Sequence, residues 1–222
     1  MPRWVAVHRF RAPGAIGIVV GVLALLSADA ALIWADVLLH EGVLENRRFS
    51  ITRERSFGEI FQYFKALVLA VLLLTGAPRS PGSVFWGLLF GIFFVDDAFA
   101  VHEQAGLWFA RAVALPTLGS ARPEQVGEAI LLAAGGLLVL IALANVIRHG
   151  GPPSREISRR LLPGLALLAF FGVGVDLLHS TIGDPGIRYA VGLLEDGGEM
   201  IAATFLVASA WTYTHPDDEA PP

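Results

Sequence analysis

The stretch Ser83–Val101, SVFWGLLFGIFFVDDAFAV, decides how the chain is read. It is long and apolar enough to cross a bilayer, yet it carries two adjacent carboxylates near one end. A transmembrane helix needs about 20 mostly apolar residues. Working outward, further stretches of this kind fall near 14–39, 58–76, 126–147, 161–181 and 189–213. With the span near 83–101 they predict an all-α integral membrane bundle of six transmembrane helices, a single membrane domain over residues 1–222. Breakers separate the spans: Pro78, Pro81 and Gly82; Pro116 and Pro123; Gly150, Gly151, Pro152 and Pro153; and the turn Gly183-Asp184-Pro185-Gly186. The run from Asp217 to Pro222 reads as a solvated tail.

Composition agrees with the spans. The chain is 55% hydrophobic and only 16% charged, with mean hydropathy +0.62, against roughly 25% charge in an average soluble domain. With no cysteine, a disulfide framework, a CxxC redox motif, an iron–sulfur cluster and a thiolate zinc site are excluded. A net charge of −4 provides no basic field for nucleic acid. The first apolar run is too long for a signal-peptide core and contains Asp29 and Asp36, so it reads as a retained helix. Gly17-xxx-Gly21 and Gly87-xxx-Gly91 offer sites for close helix packing.

If the spans alternate, Arg3, Arg9, Arg11, Arg79, Arg148, Arg155, Arg159 and Arg160 lie on the N-terminal side, and Arg47, Arg48, Arg53, Arg55, Arg111, Arg122 and Arg188 on the other. Eight against seven leaves the positive-inside rule without a decision. The arginine-rich N-terminal flank favours a cytoplasmic N-terminus in an inner-membrane protein.

The acids do not scatter. Each ionisable residue at a helix centre costs about 2.5–3.5 kcal/mol on insertion scales, so intramembrane acids are functional candidates by default. Depth along alternating spans puts Asp36, His40, Glu59, Asp96, Asp97, His102, Glu103, Asp176, His179, Glu195, Asp196 and Glu199 in the half away from the N-terminus, with Asp29 nearer mid-membrane. Helical spacing places Asp29 with Asp36, Asp96 with Glu103, Asp176 with His179, and Glu195 with Glu199 on shared faces. Lys65 reads as snorkelling to the interface or pairing with Glu59. Span four contributes little beyond Glu128. So many carboxylates with so few cations must share protons, bind cations or face water.

Two chemistries fit. Asp176-xx-His179 resembles the Glu-xx-His pair of helical di-iron carboxylate proteins. With Glu195, Glu199, Asp97, His102 and Glu103 it forms a candidate metal-ligand set suited to iron or manganese. Asp97 and His102, five apart, fall about 140° apart on a continuous helix, which weakens their pairing. A simpler option is zinc held by His40, His102 and His179, with carboxylates around it. The alternative is a proton or cation path through Asp29, Asp36, His40, Glu59, Asp96 and Asp196, which otherwise serve behind the metal ligands. The leading expectation is a metal-dependent membrane enzyme acting on a lipid or quinone-like substrate. The runners-up are proton or cation translocation and an accessory subunit of a larger membrane complex.

Asp96-Asp97-xxxx-His102-Glu103, Glu59 and Glu195-Asp196-xx-Glu199 together resemble a group of small bacterial polytopic membrane proteins. Those proteins carry Asp-Glu-xxxx-His-Glu and Glu-Glu-xx-Glu stretches. Asp97 and Asp196 stand here where the group has Glu, which keeps the carboxylate. The resemblance covers roughly residues 55–213 and implies a site at these acids but no particular reaction.

Overall fold

A computed structural model of the chain describes residues 15–53, 55–76, 80–117 and 122–215. The arginine flank Arg3, Arg9 and Arg11, the breaker Pro78, Arg79 and the expected tail from Asp217 to Pro222 lie outside the described residues. Among the described residues the secondary structure is entirely helical: α1 (Ala15–His40), α2 (Phe57–Val71), α3 (Pro81–Phe99), α4 (Val101–Ala112), α5 (Pro123–His149), α6 (Gly151–Ala169), α7 (Asp176–Thr181) and α8 (Pro185–Thr214). A short 3₁₀ turn, Arg47–Phe49, lies between α1 and α2. π-helical turns extend α2 through Leu72–Gly76 and join α6 to α7 through Phe170–Val175.

Among the described residues, five helical segments are long and apolar enough to cross a membrane: Gly17–His40, Phe57–Gly76, Pro81–Phe99, Pro123–His149 and Gly151–Val175. At 30 residues α8 has the length, but Arg188, Glu195, Asp196 and Glu199 lower the hydropathy of its first half.

The spans near 83–101 and 161–181 differ most from expectation. α3 stops at Phe99 because Ala100 adopts a left-handed conformation (φ 50°), and α4 starts afresh at Val101. Asp96 and Glu103 therefore do not share the face of one continuous helix. The fifth span begins ten residues early, since Pro152 and Pro153 sit in the first turn of α6 rather than in a loop. Proline is tolerated there because first-turn N–H groups have no intrahelical acceptor. The break is confined to Gly150-Gly151, with Gly151 at φ +76°. Arg155, Arg159 and Arg160, expected in that loop, stand on α6, where Arg159 and Arg160 each reach Glu156 at 2.7 Å. Asp184 caps α8 by accepting from the Ile187 N–H at 2.9 Å, which explains the turn signal at that point.

The apolar core lies where α2, α3, α6 and α8 meet, around Leu69, Leu73, Trp86, Phe90, Ile157, Leu161 and Leu206. The Trp86 indole N–H donates to the Ser158 hydroxyl at 3.0 Å, satisfying a buried donor inside that core. Of the proposed small-residue contacts, Gly87 is used: a Cβ there would meet the Leu74 side chain at 2.6 Å. Gly21 has nothing within 4 Å.

α1 is built inside out. Val19, Val20, Leu23 and Trp34 are exposed, while Asp29 and Asp36 are its buried positions among the described residues. Lys65, on α2, is 1% exposed and pairs with Asp29 at 2.5 Å. It neither snorkels nor meets Glu59, because Asp29 lies opposite it inside the bundle. The Lys65 ammonium also donates to the Met200 carbonyl at 2.8 Å and lies 4.5 Å over the Phe61 ring. The Thr204 hydroxyl donates to the other Asp29 oxygen at 2.6 Å. One ion pair thus joins α1, α2 and α8.

Breaking a buried pair costs about 3–5 kcal/mol because it strands a charge, whereas replacing both partners with apolar groups is often neutral. Lys65→Met alone is expected to lower the thermal midpoint sharply in detergent-solubilised protein. The double variant Lys65→Met/Asp29→Leu is expected to recover most of that loss. Fluorescence-detected melting of the three proteins checks this.

Candidate functional site

The acids gather at one end of the bundle, opposite the Gly150-Gly151 turn. Two groups among the described residues bring three ligand-type side chains within 4.8 Å of one another: Asp96, Asp97 and His102, and Asp176, His179 and Glu195.

The first group exists because of the break at Ala100. The left-handed residue ends α3 and turns the chain, so His102 comes back over the last turn of α3. Its backbone N–H donates to Asp96 Oδ1 at 2.8 Å, and its ring Nδ1 lies 3.1 Å from Asp96 Oδ2. The 140° separation of Asp97 and His102 on an ideal helix has no meaning across that break. On the other side of the ring, His102 Nε2 lies 3.4 Å from Glu128 Oε1 of α5. A neutral imidazole offers one donor. Facing carboxylates from both nitrogens therefore requires an extra proton or a cation. The sequence marks Glu128 as the one acid within span four but gives no partner for it, since the approach of α4 that brings His102 beside it is not encoded in local spacing.

The α4–α5 seam sets that contact. A Cβ on Gly127 would meet the Gly106 carbonyl oxygen at 2.5 Å, and one on Gly106 would meet the Glu128 backbone at 2.8 Å. The two glycines let the backbones touch and place Glu128 beside His102.

The second group spans α7 and α8. His179 Nδ1 lies 2.7 Å from Glu195 Oε2, and Asp176 brings a carboxylate oxygen within 4.8 Å of both. The imidazole packs on Gly192, where a Cβ would come within 3.1 Å of His179 Cε1. The π-helical turn Phe170–Val175 shifts the register of α6 into α7 just before Asp176. A Cβ on Gly172 in that turn would collide with the Glu199 carboxylate.

Other candidates fall around these groups rather than in them. Glu199 faces Gly172 and makes no hydrogen bond or ion pair among the described residues. The charges of Asp97, Asp176, Glu195 and Asp196 all act on it. Glu59 acts on both Asp97 and Asp196, while accepting from the Arg55 backbone N–H and the Tyr63 hydroxyl. Glu103 is exposed at the start of α4 and acts on Glu128.

Asp36, Asp29 and His40 stand apart. Asp36 accepts from the Ile51 N–H and the Tyr189 hydroxyl, both at 3.0 Å. Asp29 belongs to the Lys65 pair. His40 stacks on Tyr189 with ring centroids 3.7 Å apart. The zinc arrangement of His40, His102 and His179 is not formed among the described residues. The latter two sit in separate groups, each with its own acids, and His40 is in neither.

The extent of these features can be set against known proteins. The family model described as a domain of unknown function, DUF8692, matches residues 15–213. The chain belongs to this family. The match takes in α1 through nearly all of α8, and so every acid and histidine of the two groups. No curated protein and no solved structure matches the chain.

The α4–α5 seam yields a direct test. Gly127→Ala forces a Cβ onto the Gly106 carbonyl, and overpacking of this kind costs about 1–3 kcal/mol. Its thermal midpoint is expected to fall well below wild type, while Gly21→Ala, in open space, is expected to leave it unchanged or slightly raised. Parallel melts in one detergent compare the two.

Proposed function

We propose that the chain is a metal-dependent membrane enzyme whose ions are held by Asp96, Asp97 and His102 and by Asp176, His179 and Glu195. The observation that carries this reading is the pair of three-ligand groups at one end of the bundle. Each holds one imidazole and two carboxylates, a donor set suited to iron or manganese, or to zinc with open positions. In the first group His102 has a carboxylate at each ring nitrogen, Asp96 on one side and Glu128 on the other, which needs an extra proton or a cation. A divalent ion replaces such protons, since ligands bind it deprotonated. Glu128, Glu103, Glu59, Asp196 and Glu199 surround the ligands and can orient them or move protons.

The bilayer is the source of substrate in this reading. Phe99, two residues from Asp97, is 65% exposed, so the first group stands beside a surface that an apolar molecule can approach from the side. The substrate class is therefore a lipid or a quinone-like compound. A proton or cation path draws less from the geometry. Asp29 and Asp36, which would extend that path inward, have both carboxylate oxygens engaged by fixed partners.

Elemental analysis of protein purified without chelators tests the metal. We expect iron, manganese or zinc near stoichiometric amounts, with a large drop in His102→Ala and in His179→Ala at unchanged folding. Trace metal in a folded, monodisperse wild-type preparation would overturn the reading.

The same proposal takes α8 as a sixth span of an inner-membrane bundle, with the site toward the side away from the N-terminus. Because the chain has no cysteine, single cysteines report topology directly. Val43→Cys and Gly183→Cys are expected to label together with a membrane-impermeant maleimide. His149→Cys and Thr212→Cys are expected to label from the opposite side. Labelling of Thr212→Cys from the same side as Gly183→Cys would show that α8 does not cross.

A further inference from the structure

A cavity of about 590 Å³ opens beside the end of α1, between the loop that follows it and the start of α8. Its walls include His40, Glu45, Arg47, Thr52, Arg53 and Tyr189. It is separate from both three-ligand groups, none of whose residues lines it.

The walls are fixed. Asp36 holds the loop through the Ile51 N–H, and Ile51 itself is 5% exposed. The same carboxylate holds Tyr189 through its hydroxyl, and Tyr189 stacks on His40. Asn46 caps the 3₁₀ turn that carries Arg47 by accepting from the Arg48 N–H at 3.1 Å. The Ser50 and Thr52 hydroxyls are 3.0 Å apart. An exposed loop tied at several points in this way presents its charged side chains from a defined backbone.

Those charges are unusual in staying apart. Arg47 and Arg53 carry positive charge on one cavity that Glu45 lines with negative charge. None of the three makes an ion pair among the described residues. Asp36, the remaining acid of the cavity, is 2% exposed and has both oxygens hydrogen-bonded, so it adds a structural rather than an open negative group. The two arginines suit a negative group, and Glu45 suits a positive one beside it. A ligand with separated phosphate and ammonium charges satisfies both. The loop follows the end of a bilayer-length helix, at the level where lipid headgroups lie.

We propose that this cavity binds a zwitterionic phospholipid headgroup of the phosphoethanolamine type. Arg47 and Arg53 hold the phosphate, and Glu45 accepts hydrogen bonds from the primary ammonium. The assignment is independent of the metal reading and uses none of its residues.

Native mass spectrometry of delipidated full-length protein tests it, with equal amounts of phosphatidylethanolamine, phosphatidylglycerol and phosphatidylcholine added in a non-phospholipid detergent. Wild type is expected to retain phosphatidylethanolamine over the other two by roughly tenfold, the worth of a good charge-assisted contact. Arg47→Gln/Arg53→Gln is expected to lose that adduct, while Arg111→Gln, outside the cavity, keeps it. Glu45→Gln is expected to bring phosphatidylglycerol up to parity, a change of preference that misfolding does not mimic. Equal adducts of all three lipids in wild type, or the same pattern after the double arginine change, would overturn the proposal. Soluble phosphoethanolamine that saturates the protein without displacing phosphatidylethanolamine would overturn the lipid assignment as well.

Discussion

The Lys65–Asp29 pair is the interaction on which the arrangement of α1, α2 and α8 depends. α1 has apolar side chains on nearly every side, so the hydrophobic effect gives it no preferred face in a bilayer, where lipid tails are as apolar as leucine. Its two buried acids provide the orientation. Asp29 must face Lys65 and Thr204, and Asp36 must face Ile51 and Tyr189, because an unpaired charge in hydrocarbon is expensive. These contacts leave one rotation of α1 against α8, and with it the position of the following loop. The cavity beside His40 and Tyr189 is a consequence of that rotation.

The chain carries a single lysine, and Asp29 engages it. The arginines stand mostly in turns and at helix ends, and those on α6 belong to the other end of the bundle. The acids of α3, α7 and α8 therefore meet few cations of the protein's own. This is a different balance from a rigidifying polar network, in which donors and acceptors are matched inside the fold. Glu199 shows it best. It faces Gly172 with no hydrogen bond or ion pair among the described residues, and four other acids act on it.

The apolar runs were legible because a bilayer demands a minimum length of them, and most helix ends fell within a few residues of expectation. The gathering of acids at one end was legible for the same reason: alternation of spans converts position in the sequence into depth. What was not legible was anything that depended on departure from an ideal helix. Ala100 is an ordinary helix former, and nothing in its type announces φ 50°. Yet that residue folds His102 back onto Asp96 and makes the first group. Phe170–Val175 is a glycine-containing apolar run that reads as continuous helix, and its π-helical turn sets where Asp176 and His179 point. Pro152-Pro153 misled in the other sense, since proline stops a helix only when it falls after the first turn.

Pairing was equally hidden. Lys65 lies six residues from Glu59 and thirty-six from Asp29, and local spacing favours neither. Burial decides between them. A lysine near the head of a span can reach water when its face points to lipid, but this one points into the bundle, where Asp29 is the charge opposite. Glu128 follows the same rule. Its neighbours along α5 are apolar, and its meaning comes from Gly127, whose missing side chain lets α4 approach until His102 stands beside it. The local residue types gave each helix its place, and the small residues and irregular turns between acids gave the site its shape. A family that keeps this site is therefore expected to keep glycine at 106, 127, 172 and 192 as firmly as the ligands themselves, since a Cβ at these positions would press on Glu128, on the Gly106 carbonyl, on Glu199 and on His179 respectively.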